Sequence, residues 1–253
     1  MMKRLMAMAT AAWCAVTMAN EDWLPQNDGE AIPAPVSATE LIAEALSRLP
    51  QEPLTMEGDI VMRRARGTPV RKLKFKVEIA WGATPPTAVY EIYDEEDGGK
   101  LIETVTATAG QTPTLARTLT EARTPAEPPE WNERIQGTDV TWLDATMSFL
   151  WWDNPVLSGE ASVQGRTCDR LDLFPPVPVP DCSAVRIWLD RDVKLLLQAE
   201  EYNLKGDLNR KLWVRSVKKI NGRWMVRNIE VESRGTRLRT LLHVTDVRES
   251  SLP

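Results

Sequence analysis

Few residues in this sequence have the chemistry for catalysis. His243 is the single histidine, so a Ser/His or Cys/His pair for nucleophilic catalysis would have to use it. It lies in segment 241–247, whose pattern predicts a strand, and the sequence gives it no identifiable partner. We therefore interpret His243 as a half-exposed structural histidine and predict that the protein is not an enzyme.

Two pairs of carboxylates lie close together in the sequence. Asp190 and Asp192 flank a predicted hairpin turn, whereas Asp139 and Asp144 surround a predicted helix cap. The acidic segment 94–99, DEEDGG, is typical of a turn and lacks the spacing of a helix-loop-helix calcium site. The sequence also has neither a phosphate-binding glycine loop nor a zinc spacing of Cys and His. We predict no catalytic residue, no metal and no cofactor.

The composition excludes further classes of function. The chain of 253 residues has 31 Lys and Arg against 36 Asp and Glu, a net charge of -5, and no basic cluster. Such a chain is a poor candidate for binding nucleic acid. Its hydrophobic fraction of 43% is sufficient for a sizeable core.

The N-terminus has the pattern of a signal peptide. Residues 1–4 include the basic Lys3 and Arg4, residues 5–19 are an uncharged run, and polar residues follow. The run is shorter than the ~20 residues that a membrane-spanning helix needs, so a retained anchor is less favoured. Lipidation at Cys14 is also less favoured, because the residues before it, Ala11-Ala12-Trp13, lack the Leu and the small last residue of such a site. We predict a signal peptide over 1–19 with cleavage after Ala19, a flexible leader over 20–36 and a single domain over 37–250.

Cleavage there leaves Cys168 and Cys182 in an oxidising compartment, where they can form a disulfide. A bridge would close a loop of about 15 residues and contribute ~3 kcal/mol. However, a plain hairpin would place the two cysteines ~20 Å apart along the strands. The sequence alone therefore does not decide whether Cys168 and Cys182 form a disulfide or remain free thiols.

Two short helices are predicted among strands. In segment 137–152, GTDVTWLDATMSFLWW, Gly137 begins a turn, Asp139 lies within it, and Thr141 and Asp144 form a capping box. Apolar residues at helical spacing then predict about three turns, ending at 154–155. This helix either fills the core or closes over an apolar ligand. A second capping box at 37–40 predicts an amphipathic helix to Leu49, packed on a sheet.

From Leu54 the period of the pattern changes to two residues. Leu73 to Trp81 alternate apolar and charged residues, as a strand with one buried face does. Short joints follow, including the hairpin signal Asn221-Gly222, so neighbouring strands should be antiparallel. We predict a mainly β (α+β) fold, in which ten or eleven strands form one sheet that curls into an incomplete barrel with the two helices as lid or plug.

A curled sheet with two short helices has an inner face that is either filled or left as an apolar pocket. A pocket for lipid chains would gain ~0.8 kcal/mol for each buried methylene. The candidate lining residues are the large apolar ones on the helices and on the alternating strand: Leu46, Phe75, Trp81, Met147, Leu150, Trp151 and Trp152.

The motif of segment 137–152 resembles the signature of outer-membrane lipoprotein-sorting proteins of the LolA-like superfamily, in a remote branch. The later segments GRTCDRLDL, VRIWLDRD and TRLRTLLHVTDV are similar to the second half of that family. The similarity covers residues 54–247.

The resemblance implies an incomplete antiparallel barrel whose helices cover an apolar cavity, in a protein exported to the bacterial envelope. It implies a periplasmic, non-enzymatic carrier of lipids or lipoprotein acyl chains, and we predict that the protein is a monomer. The alternative is an envelope protein-interaction or stress-sensing module on the same fold, as RseB-like relatives suggest.

Overall fold

The computed structural model describes residues 37–64, 67–110, 112–120, 122–220 and 223–250. The predicted signal peptide, the leader and the Asn221-Gly222 turn lie outside the described residues. The division of the chain into these segments and one domain therefore remains a prediction. Neither helix in the described residues has the length and hydropathy that a membrane-spanning helix needs.

The described residues form one antiparallel sheet, which confirms the predicted fold class, although its 13 strands exceed the predicted ten or eleven. Within these residues β6 and β7 are the free edges, so the barrel is incomplete. The strands are β1 Leu54–Arg64, β2 Pro69–Ala80, β3 Thr87–Asp94, β4 Lys100–Thr108, β5 Thr114–Leu119, β6 Thr124–Ala126, β7 Val156–Val163, β8 Arg166–Leu173, β9 Ala184–Asp190, β10 Leu196–Tyr202, β11 Leu208–Ile220, β12 Arg223–Ser233 and β13 Leu238–Glu249.

The alternating pattern of β2 explains how the sheet acquires two different faces. Leu73, Phe75, Val77 and Ile79 are buried, and the charged residues between them lie on the outer face. Successive side chains of a strand point to opposite faces, so these four apolar residues share the inner face. The main core lies on that inner face.

The order of the strands requires the chain to cross the inner face. The sheet order is β6-β5-β4-β3-β2-β1-β13-β12-β11-β10-β9-β8-β7, so β1 and β13 are neighbours in the middle of the sheet. The chain runs from β1 to one edge at β6, and must then reach the opposite edge at β7. Residues 127–155 make this connection. Their central part, residues 135–152, packs on the inner face and is here called the crossing segment.

The first helix, α1, spans Ala38–Ser47. The Ser37 hydroxyl accepts from the Glu40 backbone N–H at 3.2 Å, and the Glu40 carboxylate accepts from the Ser37 N–H at 3.0 Å. Two free backbone donors at the start of the helix are thereby satisfied. The buried face of α1 carries Leu41, Ile42 and Ala45.

The second predicted helix is interrupted, so the expectation of three continuous turns is wrong. α2 spans only Trp142–Thr146, Met147 has left-handed backbone angles (φ 48°, ψ 31°), and a 3₁₀ turn spans Ser148–Trp151. The Thr146 hydroxyl donates to the Trp142 carbonyl at 2.7 Å and accepts from the Ser148 N–H at 3.3 Å. Such side-chain bonds compete with the regular helical pattern.

Candidate functional site

The first residues of the crossing segment are anchored to the centre of the sheet. Gly137 supplies a left-handed turn (φ 76°), which glycine adopts without steric cost. The Asp139 N–H then donates to the Thr240 hydroxyl at 3.0 Å, and that hydroxyl donates to the Asp139 carboxylate at 3.2 Å. Asp139 and Thr240 are both buried, so this contact fixes the segment on β13.

The cap of α2 is also part of this anchor. The Thr141 hydroxyl accepts from the Asp144 N–H at 3.3 Å, and the Asp144 carboxylate accepts from the Thr141 N–H at 2.9 Å. Both side chains are buried. Thr141 and Asp144 therefore hydrogen-bond to each other within the cap, whereas Asp139 bonds to Thr240 of β13.

Asp144 additionally contacts a buried arginine on the sheet. Arg210 of β11 lies with its Nε 2.7 Å from Asp144 Oδ2, and it also pairs with Glu201 of β10. The Asn209 side chain donates to the other Glu201 oxygen at 2.8 Å. Burial raises the pKa of Glu201. This charge network joins α2 to two strands of the sheet.

The crossing segment fills part of the inner face with large side chains. Trp142, Leu143 and Phe149 are almost fully buried. The Trp142 ring contacts the Tyr90 ring edge to face, with 5.9 Å between centroids, and the Tyr90 hydroxyl donates to the Ala145 carbonyl at 3.0 Å. At these positions the segment is a plug.

Two apolar chambers remain beneath the same segment. The larger has a volume of about 140 Å³ and the smaller about 80 Å³. Since a water molecule needs about 10–15 Å³ on this scale, the larger has room for about ten water-sized groups. The residues that line both chambers are Met56, Trp81, Met147, Ile229 and Val244.

The predicted lining residues fall into two groups. Trp81 and Met147 line both chambers, Leu150 lines the larger, and Phe75 lines the smaller. Met147 is therefore at the boundary of the two spaces, on the residue where the helix is interrupted. At this point the crossing segment covers a cavity.

The other predicted lining residues lie elsewhere. Trp151 lines a narrow space of about 10 Å³ that also contacts Trp131. Leu46 and Trp152 pack against the main core, outside both chambers. On α1, Ala45 takes the lining position that was predicted for Leu46.

Strand residues that the sequence analysis did not single out form most of the chamber walls. They include Met56, Leu212, Val214, Ile229 and Val244. Their alternation with outward-facing residues is the signal that could have identified them. The charged lining residues Arg48, Lys194 and Arg227 had no such signal.

The residues considered for catalysis have structural contacts. His243 Nδ1 lies 2.5 Å from Asn228 Oδ1, on the neighbouring strand. Asp190 pairs with Arg166 and accepts from the backbone N–H groups of Asp192 and Val193, both at 2.9 Å. The part of the chain that the structure describes has no group of three His, Cys, Asp or Glu side chains that could hold a metal ion.

The disulfide that the sequence left open is absent from the structure. Among the described residues, Cys168 and Cys182 are free thiols and both are buried. Cys168 packs with Val163, Trp188 and Leu197 in a small cluster, whereas Cys182 belongs to the main core. The two thiols therefore belong to separate apolar clusters of the structure.

We expect both thiols to resist alkylation in the native protein. Burial raises the pKa of each to about 12, so the reactive thiolate is scarce at neutral pH. Peptide mass mapping after iodoacetamide treatment should show no label on Cys168 and Cys182 in the native protein. Both should become labelled once the protein is unfolded in denaturant, without any reductant. Peptides that become labelled only after reduction would contradict the prediction.

Comparisons with known proteins were made for sequence and for structure. A family model described as an uncharacterized protein matches residues 124–253. No curated protein matches the chain significantly in sequence.

Several solved structures have the same fold. A DUF1329 family protein from Desulfovibrio piger has a TM-score of 0.71 and 18% identity over 84% of this chain and 91% of its own. A LolA superfamily protein from Nitrosomonas europaea has a TM-score of 0.69 and 16% identity, over 87% and 96%. A domain described as an outer membrane lipoprotein-sorting protein, from Vibrio parahaemolyticus, has a TM-score of 0.70 and 13% identity, over 85% and 93%. At these identities the likeness is one of fold.

Proposed function

Because the chain belongs to this uncharacterized family and has the fold of the LolA-like superfamily, we propose that it is a periplasmic, non-enzymatic protein that binds acyl chains of lipids or lipoproteins. The fold confirms the resemblance that the motif of residues 137–152 indicates. The observation that carries the proposal is the pair of apolar chambers that share five lining residues beneath the crossing segment.

The chemistry of the chambers suits an acyl chain. Their walls are mostly aliphatic and methionine side chains, with Trp81 between them. Each methylene that leaves water contributes about 0.8 kcal/mol, without a need for directional contacts. Methionine is flexible and adapts to different shapes. A cavity of this kind tolerates chains of different length and branching.

The partial cover over the chambers suits a carrier, which must also release its cargo. The crossing segment is held at Asp139 and Asp144 by buried polar contacts, whereas Met147, past those contacts, is only partly buried. A ligand could therefore displace the region around Met147 while the two anchors stay in place. The solved neighbour described as a lipoprotein-sorting domain supports this kind of cargo.

A binding titration tests the proposal. Delipidated protein is expected to bind a fluorescent acyl probe saturably, and Met225→Asp should weaken binding at least about tenfold because it places a charge in the wall of the larger chamber. The matched control is Leu204→Asp, since Leu204 is 74% exposed. Circular dichroism verifies that both variants are folded. A folded wild-type protein that binds no probe would refute the proposal.

The second candidate function is the protein-interaction module. The edge strand β7 carries two exposed apolar side chains, Val156 and Leu157. A free edge with apolar side chains is a site where another chain can add a strand. Pull-down from envelope extracts, with a variant carrying lysine at both positions, tests this function separately from acyl binding.

A further inference from the structure

The charged residues that line the two chambers all have the same sign. Arg48 and Lys194 line the larger chamber, and Arg227 lines the smaller. The chain as a whole has more acidic than basic residues and a net charge of -5. An acidic protein with a cationic lining in its apolar cavity is unexpected if that cavity serves only to bury hydrocarbon.

Lys194 is the most enclosed of these cations. Its side chain is only 4% exposed, whereas that of Arg48 is 54% exposed and so marks the place where the chamber meets solvent. Lys194 lies in the turn between β9 and β10 with a left-handed backbone (φ 58°). Glycine or asparagine is the usual residue in that conformation. A lysine at this position is therefore less favourable than either if the residue serves only to form the turn.

The two cations of the larger chamber share one carboxylate. Glu44 of α1 lies 3.6 Å from the Lys194 ammonium and 3.6 Å from the Arg48 guanidinium. Both distances exceed those of good charge-assisted hydrogen bonds, about 2.7–2.9 Å. In the described part of the chain, Glu44 is the one carboxylate paired with Lys194, and its own side chain is 27% exposed. Two positive charges therefore face one loosely held negative charge.

A second carboxylate near Lys194, that of Asp190, already pairs with other groups. Asp190 belongs to the same turn as Lys194, and its carbonyl accepts from the Lys194 N–H at 3.0 Å. Its carboxylate pairs with Arg166 and with two backbone N–H groups. A buried cation with a weak partner is costly unless another anion reaches it.

We propose that the larger chamber binds amphiphiles with an anionic head group, a carboxylate or a phosphate monoester, which contacts Lys194 and Arg48 while the hydrocarbon chain lies against the apolar wall. This inference rests on the proposed acyl-chain binding and narrows the cargo to anionic lipids. The head group would accept direct hydrogen bonds from the Lys194 ammonium. Glu44, at 3.6 Å, does not make such bonds. Glu44 would then turn toward solvent, where it is already partly exposed.

The test compares ligands that differ only in the head group. Displacement of a fluorescent acyl probe at pH 8 is measured with hexadecanoate, hexadecyl phosphate and hexadecanol. The wild-type protein is expected to bind at least one of the two anions about tenfold or more tightly than the alcohol, as a charge-assisted hydrogen bond in an apolar site predicts. In Lys194→Met the ratio of anion to alcohol affinity should fall to about one or two.

Three further variants sharpen the result. Arg48→Gln should reduce the ratio less than Lys194→Met, because Arg48 is exposed to solvent. Glu44→Gln should raise the ratio, because it removes the competing carboxylate. Lys211→Met is the matched control, since Lys211 pairs with Glu200 and lies outside the chamber lining, and it should leave the ratio at the wild-type value.

The outcomes separate this inference from the function on which it rests. If the folded wild-type protein does not bind the fluorescent acyl probe at all, acyl-chain binding itself fails. If the alcohol binds as tightly as both anions to the wild-type protein, the chamber is an acyl site and the head-group inference is overturned. Inorganic phosphate that competes with hexadecyl phosphate at equal concentration would also overturn it, because the site would then recognise the free anion without its chain.

Discussion

Replacing Arg210 with methionine is expected to lower the free energy of unfolding by about 3–5 kcal/mol at pH 7. Arg210 lies between Asp144 of the crossing segment and Glu201 of β10, and all three side chains are buried. Methionine keeps the packing of the chain but leaves two carboxylates in an apolar environment without their cation. The same change releases one of the two polar anchors of the crossing segment.

The loss should be smaller in acid. Burial already raises the pKa of Glu201 in the wild-type protein, and removal of the guanidinium raises it further. A carboxyl whose pKa is higher in the folded than in the unfolded state binds more protons when folded. Stability therefore falls as the pH rises from the unfolded pKa, about 4.3, through the folded one. Urea denaturation of both proteins at pH 4.5 and pH 7 measures this difference.

Arg215→Met is the matched control for this prediction. Arg215 lies on the same strand, its side chain is 54% exposed, and it pairs with Glu230 at 3.4 Å. An exposed pair of this kind contributes about 1 kcal/mol or less. Similar losses for the two variants, or a loss at Arg210 that does not change with pH, would contradict the prediction.

Ile229→Trp is expected to weaken acyl-probe binding about fiftyfold. Ile229 is partly buried on β12 and lines both chambers, so an indole ring there occupies space that the ligand needs in each. Excluding about three methylenes from the cavity costs about 2.4 kcal/mol, which corresponds to that loss of affinity. Titration with the fluorescent probe measures it.

The fold should tolerate this substitution because the new ring enters a space that is open in the structure. Thermal unfolding is therefore expected at or above the wild-type temperature, which separates a blocked cavity from a damaged one. Leu204→Trp adds the same ring at a residue that is 74% exposed and should bind as the wild-type protein does. Undiminished binding to a folded Ile229→Trp protein would mean that the ligand lies outside the two chambers.

Local patterns in the sequence were sufficient to predict most of the architecture. The alternation from Leu73 to Ile79 depends on burial of one face, and the structure buries those residues. The capping box of α1 depends on residues three positions apart, and its hydrogen bonds form between Ser37 and Glu40. Features of this kind are visible because cause and effect lie within a few residues.

The interruption of the crossing segment could not be predicted in the same way. Apolar residues at helical spacing indicate a helix, and the left-handed backbone of Met147 has no sequence signature comparable to glycine. Tertiary packing overrides the local preference there, because Trp142 and Phe149 are both buried in the same core. The chambers meet at this residue, so the feature that the sequence missed is also the one that shapes the site.

The charged residues of the site depend on contacts between distant parts of the chain. Arg210 meets Asp144, and Lys194 meets Glu44, across long sequence separations. Charged residues of these types are usually exposed, so none of them alone indicates a buried contact. Their burial follows from the curled sheet and the strand order, which place the turn after β9 beside α1.

The central pairing of β1 with β13 also constrains how the protein is made. Leu54 of the first strand pairs with Glu249 of the last, at opposite ends of the sheet's sequence. Contacts of such high contact order form slowly. While the nascent chain emerges, β1 has β2 on one side only, and its other edge stays open until the final strand is complete. An open strand edge can pair with another chain, so the pairing of β13 with β1 removes an edge that would otherwise be prone to aggregation.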